Sequence, residues 1–200
     1  MDAGKGGWGK ILSRVDEVAR AKDPDPAHNE QVTRLALALF DQLRPIHGYG
    51  RAARRLLEIA GRLHDIGWSR VVSGKHHKLS GAMIRDSDLS GLDPRDRSIC
   101  ALVARYHTKA LPDVSRHRRF ASLSSGGRKK VQWLAGILRV ADGLDNTHNL
   151  VVKGVHCEIG PEKIILRMET SGDCSREAER ARQKQDLLAR MTEREIEYRC

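Results

Sequence analysis

Aromatic side chains are scarce: Phe, Trp and Tyr make up 4% of the 200 residues. A core must therefore come from Leu, Ile, Val and Ala, which suits helices packed on helices. Cysteine is sparse as well. Cys100, Cys157, Cys174 and Cys200 show no Cys-x-x-Cys spacing, so they read as reduced thiols of a cytoplasmic chain, one long enough to bury a core without disulfides. No apolar stretch can span a bilayer, and Met1-Asp2-Ala3-Gly4-Lys5-Gly6-Gly7 lacks the apolar run of a signal peptide. A soluble, cytoplasmic protein with no membrane partner is expected. Acidic residues are outnumbered, 26 against 36 Lys and Arg, which gives a net charge of +10 and a pI of about 9.8. That balance points to phosphate esters, nucleotides, polyphosphate or nucleic acid and does not choose among them. No internal repeat or helix-turn-helix signature is visible, so nucleic acid is not the favoured partner.

What the chain does contain is apolar residues at helical spacing. A first helix is predicted from about Trp8 to Ala21 after a flexible start (residues 1–9), and Asp23-Pro24-Asp25-Pro26 ends it. The clearest stripe follows, Val32, Leu35, Ala36, Leu39, Phe40 and Leu43, closed by Pro45 and Gly48. Ala53, Leu56, Leu57, Ala60 and Leu63 make the next, which Gly67 stops, with a loop through Ser73-Gly74. A helical segment opens at Lys75-His76-His77-Lys78, and Asp93-Pro94 caps another whose stripe is Ile99, Leu102, Val103 and Tyr106. Pro112 to Gly127 has the composition of a mobile basic loop, and a helix is predicted from about Arg128 to Asn146. Val151–Ile159 and Lys163–Glu169 read as a β-hairpin around Gly160-Pro161, and Ser175 to about Glu197 as one charged surface helix or dimer contact. The expectation is a mainly α bundle over residues 10–150, with residues 151–200 packed on it.

Polar residues interrupt these apolar faces at corresponding places. His28 lies four residues before Val32, His64 four after Ala60 with Asp65 beside it, His107 four after Val103, and Asp142 four after Leu138. One of His76 or His77 joins them. Any single inward histidine is more often a hydrogen-bonded core residue than a ligand. Several helices that each end on such a residue are how bundles build metal sites, and mixed imidazole and carboxylate donors suit Mn, Fe, Ni, Zn or Mg. Hydrolysis is the chemistry such a divalent ion promotes. Lys78 and Arg139 stand next to these positions as possible phosphate contacts or as plain surface charges. Asp145, one turn from Asp142, could orient a ligand, accept a proton or cap a helix. Arg116-His117-Arg118-Arg119 and Arg128-Lys129-Lys130 could ring a pocket mouth.

His28, then His64-Asp65, then Asp142 resembles the HD-domain superfamily of metal-dependent phosphohydrolases. More closely, Leu63-His64-Asp65-Ile66-Gly67, His76-His77-Lys78 with Ser80, Ala104-Arg105-Tyr106-His107 and Leu138-Arg139-Val140-Ala141-Asp142-Gly143-Leu144-Asp145 are similar to the C-terminal HD-type domain of the exopolyphosphatase and guanosine pentaphosphate phosphatase family. The resemblance covers roughly residues 10–190 and implies a helical HD bundle with His28, His64, Asp65 and Asp142 on a metal. His77 or His76 with His107 would then serve a second metal, a phosphate contact or a structural pair, and Asp65, Asp145, Arg139 and Lys78 are the candidate catalytic residues. The chain departs from the family in two ways. The actin-like phosphatase part that this domain normally follows is not among these residues, and Leu79 replaces the last histidine of the usual His-His-x-His-Ser. A mononuclear phosphohydrolase acting on a phosphoester or nucleotide is the first reading. A non-catalytic polyphosphate- or nucleotide-binding module that partners a separate catalytic chain is the alternative.

Overall fold

The computed structural model of the chain describes residues 5–71 and 74–200; the loop expected at Ser73 and the flexible start expected at residues 1–4 lie outside that range. Four helices make the central bundle. They are α2 (Pro26–Gln42), α4 (Arg51–Leu63), α6 (Pro94–Arg105) and α8 (Ser125–Gly143). α2 packs on α4 and α8, and α6 packs on both α4 and α8, so Leu35, Leu57, Leu63, Val103, Leu134 and Leu138 meet in one interior at 0% exposure. Burying each aliphatic side chain stabilises the fold by about 1.5–3 kcal/mol, and with aromatics so rare this layer is the main source of cohesion. The starts follow from the sequence: Asp25, Asp93 and Ser124 each accept a hydrogen bond from a backbone N–H of the first turn, and Pro26 and Pro94 take the position where an N–H is dispensable.

Smaller elements surround this bundle. α1 (Lys5–Lys22) lies on α4, and the short α3 (Arg44–His47) closes at Gly48, which has a left-handed φ of 67°. A 3-10 turn over Ile66–Arg70 leads toward α5 (His76–Asp86), which packs on that turn and on α6. α7 (Arg118–Ala121) buries Phe120. β1 (Val152–Ile159) and β2 (Lys163–Thr170) pair antiparallel, and β1 leans on α2. α9 (Ser175–Lys184) and α10 (Asp186–Thr192) pack on α8, and β3 (Glu195–Arg199) joins β2 in parallel. Among the described residues, no helix is long and apolar enough to cross a membrane.

The mainly α class, the bundle and the hairpin match the sequence reading, and four local expectations are corrected. Lys5 to Gly9 belong to α1 rather than to a flexible start. The stretch Pro112 to Gly127 is no open loop, because Phe120 anchors α7 and Ser124 caps a helix that starts three residues before Arg128. The charged C-terminal segment is two helices and a strand, for Glu193 adopts a left-handed turn at φ 54° that stops the helix. Finally, Cys174 and Cys200 form a disulfide instead of remaining thiols, while Cys100 and Cys157 are free.

Candidate metal centre

Each polar residue in question sits at or beside the end of an element, where backbone direction changes and side chains of neighbouring helices converge. His28 is in the first turn of α2; His64 and Asp65 follow α4 directly; His76 opens α5; His107 lies two residues past α6; Asp142 is in the last turn of α8. Asp65 is the shared point. Its Oδ2 lies 3.8 Å from Nε2 of His64 and 3.9 Å from Nε2 of His28. Its Oδ1 lies 3.3 Å from Nε2 of His76 and 3.4 Å from Nε2 of His107. Two sets of donors, His28/His64/Asp65 and Asp65/His76/His107, are each compact enough to hold one ion. Asp142 adds Oδ1 at 3.4 Å from His28 Nε2 and 3.8 Å from His64 Nε2.

The rings are aimed by bonds on their other nitrogens. Nδ1 of His64 is 2.7 Å from the carbonyl of Gly61, and Nδ1 of His107 is 2.7 Å from that of Ala104. Nδ1 of His28 is 2.8 Å from Oδ2 of Asp145. A carbonyl can only accept, so in His64 and His107 the proton sits on Nδ1 and the Nε2 lone pair points to Asp65. Nε2 of His28, Nε2 of His64 and Oδ1 of Asp65 are buried without a hydrogen-bond partner. Unpaired buried polar atoms are costly, and divalent ions with imidazole and carboxylate ligands in the two sets would satisfy them. Electrostatics agree. Burial pushes the imidazoles of His64, His76 and His107 below their ordinary pKa, which keeps them neutral and able to coordinate. Burial alone would raise the Asp65 carboxyl, yet with the rings of His64, His107, His76 and His28 turned toward it the group lies well below the usual carboxylate range.

Several sequence candidates land elsewhere than expected. The neighbouring pair resolves in favour of His76, which faces Asp65 and His107, with Nε2 atoms of the two histidines 3.2 Å apart. His77 is buried against other elements and its imidazole is pushed down to about 4 by burial. The second donor set therefore takes His76, and the leucine at 79 does not leave it short of ligands. Arg139 is committed to structure: its guanidinium donates to the carbonyls of Tyr106, Lys109 and Lys184 and pairs with Asp186. No edge of it is open for a two-pronged phosphate contact. Lys78 is exposed on α5 and lines a separate pocket. Asp145 is fully buried, with one oxygen on His28 and the other accepting from the Leu150 N–H, so it orients the His28 ring and has no lone edge for a water.

Two participants were invisible in the sequence. Lys184, at the end of α9, is 6% exposed and its Nζ pairs with Oδ2 of Asp142. A Cβ on Gly143 would lie 2.6 Å from the Cα of Ala181, so the missing side chain lets α9 press onto α8 and brings Lys184 over the carboxylate. Burial and the nearby Arg139 push the Lys184 ammonium down to about 7, against the pull of Asp65. His148 stacks on His28 with ring centroids 3.9 Å apart and pairs with Asp25, the cap of α2. Lys184 is 42 positions from its partner in a segment that reads as exposed, and His148 sits in a turn at φ 57°; neither position carries a periodic signal.

No curated protein sequence matches the chain. The family model described as Ppx/GppA phosphatase, domain III, matches residues 13–190, which takes in every donor named above. The chain therefore belongs to the Ppx/GppA phosphatase domain III family.

Proposed function

We propose that the protein is a metal-dependent phosphohydrolase of HD type, cleaving a phosphoester or nucleotide at the Asp65 centre. The observation that carries this reading is the convergence of four imidazole Nε2 atoms on the two oxygens of one carboxylate, with those of His28 and His64 buried and without a hydrogen-bond partner. His28, His64, Asp65 and Asp142 would hold one divalent ion, and Asp65, His76 and His107 a second. Bound there, such an ion supplies a water of lowered pKa and a positive charge for a phosphoryl oxygen. The protein's own part is arrangement. Gly61 and Ala104 carbonyls and the Asp145 carboxylate fix which imidazole nitrogen is free, and the apolar bundle around them keeps the dielectric low. Lys184 balances the negative charge of Asp142.

Membership of a phosphatase family and a net charge of +10 support a phosphate-bearing substrate. The test is a panel of phosphomonoesters, phosphodiesters and nucleotides assayed with Mn, Fe, Ni, Zn and Mg. Turnover in the wild type, and its loss of at least about a hundred-fold in His64→Ala and Asp65→Ala, is the expected outcome. Activity that survives both substitutions removes this reading. Polyanion binding without turnover in any metal would favour a regulatory binding module instead.

A further inference from the structure

The basic residues of α7 and the loop before it border a cavity of their own, apart from the Asp65 centre. Its volume is about 690 Å³, and none of His28, His64, Asp65, His76, His107 or Asp142 lines it. One wall is the face of α5 that carries Lys78 and Arg85, seven residues apart; a second is the face of α6 that carries Arg105; Arg116, Arg118 and Arg119 close the third side. Gly81 lets the two helices come together, since a Cβ there would lie 2.7 Å from the carbonyl oxygen of Ala101. The cationic rows thereby flank a single groove.

Six cations line this groove and no carboxylate does. Arg85 meets Asp86 at 3.2 Å, but Lys78, Arg105, Arg116, Arg118 and Arg119 have no carboxylate in ion-pair range among the described residues. Asp113, on the same loop, turns Oδ1 to the N–H groups of Ser115 and Arg116 and not to a guanidinium. Like charges gathered around a concavity repel one another and raise the local potential, and both effects are relieved by an anion of several charges. Guanidinium groups also fit phosphate oxygens two at a time. The rings of Tyr106 and Phe120 at the back are only 1% and 2% exposed, which leaves the single half-buried ring of His117 and no aromatic platform for successive nucleobases to stack on. Charge and size are what this groove can recognise.

We infer that the groove between α5, α6 and α7 is a second anion site, built for a compact molecule bearing several phosphates rather than for a nucleic acid strand. Its occupancy is independent of the metal centre. The test is a calorimetric titration of inorganic tripolyphosphate into metal-stripped protein at low and raised salt. Binding that weakens as salt rises is expected. Arg116→Glu with Arg119→Glu, and separately Lys78→Glu on α5, should each weaken it about ten-fold or more. These positions are exposed, so folding is preserved and circular dichroism verifies it. Lys10→Glu with Arg20→Glu on α1 changes net charge equally and should leave binding intact, as should Asp65→Ala. A short single-stranded RNA of similar charge should bind less tightly. The inference is overturned if tripolyphosphate does not bind, if the α1 reversals weaken it as much as the groove reversals, if Asp65→Ala abolishes it, or if RNA binds more tightly.

Discussion

Asp145 shows how much of the centre is decided one residue away from the ligands. Its carboxylate accepts from two donors, the His28 ring at 2.8 Å and the Leu150 N–H at 3.0 Å, one on each oxygen. Asparagine has a single acceptor oxygen, so Asp145→Asn must leave one of these donors facing an NH₂ group. We expect that substitution to lower divalent-metal affinity by about 10–100-fold with the helical circular dichroism unchanged. Competition with a chromophoric chelator measures it, and an unaltered affinity would mean that His28 is not oriented by Asp145. The same scale explains which site residues were legible. His28, His64, Asp65, His107 and Asp142 lie on, or one step past, apolar stripes, so period alone turns them inward. The choice between His76 and His77 depends on the rotation of one helix end, about 100° per residue, which spacing cannot fix. Arg139 lies on the apolar helix too, but it faces α9, an element whose position depends on contacts far along the chain.

Elements bring these residues together through close approaches that leave no room for a side chain. Gly67 begins the link between the two donor sets: a Cβ there would lie 2.2 Å from the carbonyl of His76 and 2.7 Å from the Ser80 N, and its own N–H donates to Ser80 Oγ. Both clashing atoms are backbone, so Gly67→Ala has to displace the start of α5. The cost is about 1–3 kcal/mol of stability, and the donor set containing His76 should lose its ion while the set of His28 and His64 keeps its own. Thermal melting together with metal content checks this; a variant with unchanged melting and full metal would contradict the packing described. At this scale the bundle was readable because each helix announces its buried face and its cap. β3 was not. Glu195–Arg199 offers charges with Ile196 buried between them, and its partner β2 lies more than twenty residues earlier in a parallel pairing that no local pattern encodes. The helix read through that segment failed at Glu193, where a left-handed turn has no glycine to mark it.

Over the whole molecule, α9 and α10 are held to the bundle by packing on α8, and the Cys174–Cys200 disulfide ties the start of α9 to the chain just past β3, joining residues 26 apart in sequence. Closing a loop of that size removes unfolded-chain freedom worth about 3 kcal/mol. Reductant should lower the urea stability of the wild type by about that amount and leave Cys174→Ser unaffected; an equal response of both chains would dissociate the bridge from stability. This clamp also secures α9, which delivers Lys184 to Asp142. The phosphatase family match over residues 13–190, the basic surface and the bundle all bear on one claim, that Asp65 is shared between two ion sites. The most direct measurement is metal stoichiometry by mass spectrometry after stripping and reconstitution of the wild type and Asp65→Ala. Two ions per chain in the wild type, and neither retained tightly in Asp65→Ala, is the predicted result; a wild type that takes up no ion, or a variant that binds as many as the wild type, would contradict it.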